Sequence, residues 1–151
     1  MIRIANFTSF GAAVLIAGLL SMAWTGSAAA QRAATPIAAV EAFHAALDAG
    51  DDAAAISLLD RELRVFESGF INPDLQSYVN SHLAADKETH SRSEWVLEDR
   101  VVGGEGDFQW VLSSYRLERG RCTVDQFVLE TALVQRTGDS FRIVHIHWSS
   151  R

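Results

Sequence analysis

Apolar residues recur along the chain at two periods, and the change between them falls near Ser91. Upstream, the spacing is helical. Thr35 and Pro36 give a capping side chain and a proline for the first helical position. Ile37, Val40, Phe43, His44 and Leu47 then share one face, and Gly50 ends the run. His44 lies inside that apolar face. Asp51 and Asp52 cap a short helix predicted over 53–59, with Ile56, Leu58 and Leu59 as its apolar side. A strand over 63–69 places Leu63, Val65 and Glu67 on one face and ends in a turn. Asn72-Pro73-Asp74 opens another helix, running to about Glu88. Around it Leu75, Tyr78, Val79 and Leu83 define an apolar arc, and His82 and Asp86 fall in its middle. The pair reads either as chemistry or as a core histidine bonded to its own helix neighbour.

Downstream, the period is two. Trp95, Leu97 and Val101 alternate with Val96 and Val102 before a turn at Gly103-Gly104-Glu105-Gly106. Strands over 108–117 and 124–135 follow, and Gly138-Asp139 leads into a last strand over 141–151. Short loops make these four strands antiparallel neighbours in a meander. On the last strand, unbroken alternation sets His145 and His147 on one face with Phe141, Ile143 and Ser149; Val144, Ile146 and Trp148 take the other. Neither face is cleanly polar, so buried imidazoles there need hydrogen-bond partners. Helix, helix, strand, helix and four strands together predict an α+β domain. Three helices pack on the concave face of a curved antiparallel sheet and leave a pocket.

Residues 1–30 stand outside that domain. Arg3, an apolar run over 10–20 and Ala28-Ala29-Ala30 have the form of a secretory signal peptide cut before Gln31, which implies a periplasmic or secreted protein with no membrane segment after cleavage. Losing Arg3 takes the formal net charge from −6 to −7 over 31–151. That acidic balance argues against nucleic acid as a partner. Cys122 is the only cysteine, so the core has no internal disulfide to rely on.

This order of elements resembles the cone-shaped fold of nuclear transport factor 2, in its SnoaL-like branch. The resemblance is carried by Phe66-Glu67-Ser68-Gly69, by Tyr78-Val79-Asn80-Ser81-His82-Leu83-Ala84-Ala85-Asp86 and by the closing strand 141–150. It covers essentially all of 31–151. It implies a homodimer formed through the outer face of the sheet. It does not imply one activity: relatives include isomerases, cyclases, dehydratases and proteins with no chemistry. Val96, Val102, Val128, Ala132 and Val134 supply the second apolar face that such a dimer would cover.

Three functional readings follow, two of them carried by candidate residues for chemistry. His82 held by Asp86 is suited to general acid/base work near neutral pH, with Glu67, Tyr78 and His147 as ligand-binding neighbours. The alternative is a periplasmic metal-binding protein in which His82, Asp86, His145 and His147 hold zinc or copper. A non-catalytic structural dimer is the third reading. The first reading expects His82, Asp86 and His147 to converge in one pocket, with Glu67 at its rim. It needs no cofactor, and its partner is a small molecule whose identity no residue pattern specifies.

Overall fold

The computed structural model describes residues 33–118 and 126–151; the leader and Cys122 lie outside them. α1 (Pro36–Ala49) begins as the sequence dictates, with the Thr35 hydroxyl accepting from Ala38 N–H at 3.1 Å. It ends at Gly50, whose φ of 67° is the left-handed conformation that closes a helix. Asp51 caps α2 (Asp52–Ser57) by accepting from Ala54 N–H. α2 stops short of Leu58 because Leu59 already pairs with Ile143 as the first residue of β1 (Leu59–Glu67). At Ser68 and Gly69 the φ values are 49° and 86°, the two positive angles of a tight hairpin turn. They return the chain as a short edge strand, β2 (Phe70–Asn72).

The helix expected from Asn72 to Glu88 is two helices, so four helices replace the expected three. Asp74 caps α3 (Leu75–Ser81), and α4 runs Leu83–Arg92. The break falls at His82. There the Ser81 hydroxyl bonds back to the Ser77 carbonyl at 2.7 Å and also meets His82 Nδ1 at 2.9 Å. Such back-bonding competes with the helical ladder and bends the helix.

β3 (Glu94–Glu105), β4 (Phe108–Glu118), β5 (Gln126–Thr137) and β6 (Ser140–Ser150) form the antiparallel meander. The sheet order is β2-β1-β6-β5-β4-β3, with β1 parallel to β6. Two irregularities decide which side chains face the helices. Pairing along β3 slips between Leu97 and Asp99. Pairing of β5 with β6 slips between Leu133 and Val134, leaving Val144 as the extra residue of a bulge. Before the bulge Ile143 opposes Val134; after it Ile146 opposes Ala132, and Trp148 opposes Glu130. All of these lie on the inner face, where Trp148 stacks on Phe43 of α1 with centroids 6.4 Å apart.

This bulge overturns the expected alternation of the last strand. His145 and His147 stand opposite Leu133 and Thr131 on the outer face, not beside Phe141 and Ile143. The outer apolar face is the expected one only in part: Val96 lies on it, opposite Arg116. Val128, Ala132 and Val134 are buried inside. Val101, Leu112, Leu129 and Leu133 are exposed on the outside.

Candidate functional site

α4 presents Asp86 and His90 one turn apart on its buried side. Asp86 reaches α3, where the Tyr78 hydroxyl donates to Asp86 Oδ2 at 2.6 Å. Burial, reinforced by the charge of Glu67, pushes the Asp86 carboxyl up to about 7, even though the Tyr78 hydrogen bond favours the carboxylate. Burial and the two neighbouring carboxylates push the Tyr78 hydroxyl upward too, so it stays a neutral donor. Glu67, the last residue of β1, is also raised by burial, against the opposing charge of His82.

His90 is held from two sides. Its Nδ1 lies 2.7 Å from Asp48 Oδ1, and its ring stacks on Trp95 with centroids 4.3 Å apart and planes 8° from parallel. Burial lowers its basicity to about 4, helped by the charge of His44 and opposed by Asp48.

Glu67, Asp86 and His90 line one cavity of about 150 Å³ bounded by α4, the end of β1 and the strand ends at Trp95, Leu117, Val128 and Trp148. An apolar cavity of about this size holds a molecule of benzene's bulk. Three of its lining residues carry a buried polar atom with no protein partner: Glu67 Oε2, His90 Nε2 and Trp95 Nε1. Unpaired polar atoms in a folded interior are costly and call for water or a ligand.

Behind the wall runs a second polar network, in which Glu130 is the shared acceptor. Trp148 Nε1 donates to Glu130 Oε2 at 2.8 Å, and His44 Nε2 meets the same oxygen at 2.7 Å. Arg100 donates to the Tyr115 hydroxyl at 2.8 Å and to Glu41 at the surface. Burial alone would raise Glu130; the charge of His44, the His44 and Trp148 hydrogen bonds and the charge of Arg100 hold it below the usual carboxylate range.

Of the residues singled out in the sequence, Glu67 and Asp86 line the cavity and Tyr78 backs Asp86. His82 does not join them. It sits half-buried at the helix junction, its ring against Phe70 with centroids 5.7 Å apart. His147 is absent as well, because the bulge turns it outward beside Phe66, and His145 bonds the Arg64 carbonyl on that face. The expected convergence of His82, Asp86 and His147 is therefore replaced by Glu67, Asp86 and His90. The metal alternative fails on the same geometry: His145 and His147 lie across the sheet from Asp86, and no group of three or more metal-binding side chains occurs among the described residues.

A helix ending at Glu88 stops short of His90 and so of its holder Asp48; carrying the Leu83–Asp86 stripe one more turn reaches His90. Trp95 stands in the sequence only as an apolar position of an alternating strand, with nothing to mark its indole N–H as unpaired.

No protein-family model matches the chain, and no curated protein matches it in sequence. Solved structures do match. A provisionally assigned ketosteroid isomerase from Shewanella frigidimarina is 26% identical, with a TM-score of 0.69 over 74% of this chain and 91% of that one. A provisionally assigned dehydratase of the NTF2-like family from Streptomyces avermitilis is 20% identical, with a TM-score of 0.62 over 75% and 92%. The CaMKII hub of S. rosetta is 17% identical, with a TM-score of 0.66 over 76% and 93%. The chain has the fold of nuclear transport factor 2-like proteins. Those neighbours span two provisional enzymes and a CaMKII hub, so fold alone does not assign a function.

Proposed function

We propose that the chain binds a small uncharged carbonyl compound in this cavity and moves a proton on it, in the manner of an isomerase or lyase. The observation that carries the reading is the meeting of three unpartnered buried polar atoms, on Glu67, His90 and Trp95, at one cavity with a carboxyl that is half protonated near neutral pH. Because Tyr78 occupies Asp86 Oδ2, the carboxyl proton belongs on Oδ1, where it can be given to a ligand oxygen. Glu67 is the base in this reading, its unpaired Oε2 free to accept the proton that the ligand's carbon releases. Two carboxyl groups in a small buried space disfavour an anionic ligand.

Exchange of the α-hydrogens of cyclohexanone for deuterium tests this without knowledge of the natural substrate. Wild type is expected to exchange them faster than buffer, and Glu67→Gln to lose roughly a hundredfold or more of that rate, the usual contribution of a positioned base. Binding of cyclohexanone with no exchange above buffer would remove the chemistry and leave a binding protein.

The same reading retains export, from the leader pattern, and a homodimer. The motive for the dimer is the exposed row Val101, Leu112, Leu129 and Leu133 on the outer face of the sheet. Light scattering is expected to give a dimer at micromolar concentration and a monomer for Leu129→Arg. A monomeric wild type would remove the dimer alone.

A further inference from the structure

We propose that His90 and Trp95 form a hydroxyl-recognising subsite in the cavity, with Asp48 as the residue that positions the imidazole, so that the ligand carries an O–H group as well as its carbonyl. The inference rests on the small-molecule reading above and assigns the part of the ligand that Asp86 and Glu67 do not meet.

The argument is one of donors and acceptors. The Asp48 carboxylate can only accept, so the 2.7 Å contact to His90 Nδ1 puts the ring's proton on that nitrogen. Nε2 is then a bare acceptor, and it is the atom left buried without a partner on a residue only 4% exposed. Stacking on Trp95 at 4.3 Å, together with the Asp48 bond, fixes the ring's plane and its tautomer. Trp95 offers the complement, an indole N–H that can only donate and that has no partner either. One acceptor and one donor on two stacked rings suit a hydroxyl, the small uncharged group that can both give and take a hydrogen bond. A carbonyl leaves Nε2 unpaired, and an ether does the same. Burial, which resists charging of the ring, keeps Nε2 an acceptor at neutral pH.

Phenol and anisole differ only in that O–H, and they are the probes. Titrations followed by ligand-observed NMR are expected to show phenol binding tighter than anisole by about tenfold or more, the penalty for leaving a buried acceptor unmade. His90→Phe is expected to bring the ratio to about one. In wild type labelled with ¹⁵N-histidine, His90 Nδ1 is expected in the protonated range and Nε2 in the unprotonated range, with Nε2 shifting when phenol is added. Asp48→Asn is expected to let the other tautomer in and to weaken phenol while leaving anisole unchanged. Equal binding of phenol and anisole to wild type overturns the subsite, as does an Nε2 that phenol does not move, and cyclohexanone binding then still stands for the cavity. If neither these probes nor cyclohexanone binds, the cavity reading falls as well. Should His90→Phe fail to fold, the wild-type nitrogen shifts decide the question alone.

Discussion

Replacing Glu130 by alanine is expected to cost the fold about 3–5 kcal/mol, the usual result of removing one member of a buried ion pair. Glu130 is 3% exposed and takes hydrogen bonds from Trp148 and His44 within 2.8 Å. Truncation strands both donors: His44 in the apolar face of α1, and Trp148 in the cavity wall. At 3% exposure the site of the lost carboxylate is shielded from solvent, so much of the donors' desolvation cost stays in the folded state. The natural control is Glu41→Ala. That side chain also pairs with Arg100, but it is 60% exposed, so its loss should cost no more than about 1 kcal/mol. Urea unfolding of the two variants checks both statements. A cost under about 1 kcal/mol for Glu130→Ala would mean that the network is not what holds the wall behind the cavity.

Asp86 should give the folded state an unusual dependence on pH. Its carboxyl rises from 3.8 to about 7 on folding, so between those values the native chain binds the proton that the unfolded chain has released. The corresponding stability is fully present below about pH 4 and lost as pH rises through about 7, on the order of 4 kcal/mol over the window. His90 acts in the opposite sense. Its basicity falls from 6.5 to about 4, so its contribution is present above pH 6.5 and lost as pH falls through 4. The two slopes oppose each other between roughly pH 4 and 6.5. Asp86→Asn removes the first and leaves the second exposed. Urea unfolding from pH 4 to 8 is therefore expected to show variant stability rising with pH, and exceeding wild type above pH 7 by up to a few kcal/mol. Parallel profiles for variant and wild type would contradict it.

How far these features were legible in the sequence depended on whether the signal was local. Capping by Thr35, Asp51 and Asp74 and the turns at Gly106 and Gly138 are readable because each is set by neighbouring residues. The return strand β2 was not anticipated, although Ser68-Gly69 adopts the two positive φ angles its hairpin needs. The break at His82 was also missed, because a serine bonding backwards is invisible to a count of apolar positions. Most consequential was Val144. One extra residue in a strand exchanges its faces, and nothing in Phe141 to Ser149 marks where that residue sits. His145 and His147 were therefore placed inward on sound alternation and lie outward. Glu67 and Asp86 line one cavity and Tyr78 backs Asp86, placements that the strand end and the helical stripe already suggest. His90 lay within reach of the same helical stripe, but its value comes from Asp48, 42 residues away, and from a tryptophan across the bend.

The proton chemistry proposed for the cavity turns on Asp86 holding a proton close to neutral pH, bonded by Tyr78 and buried. The measurement closest to that claim is the pH titration of the Asp86 carboxyl carbon by ¹³C NMR, assigned by its disappearance in Asp86→Asn. The expected midpoint is about 7, and Tyr78→Phe is expected to move it higher, since the lost hydrogen bond favoured the carboxylate. A midpoint near the ordinary aspartate value of about 4 would contradict the account.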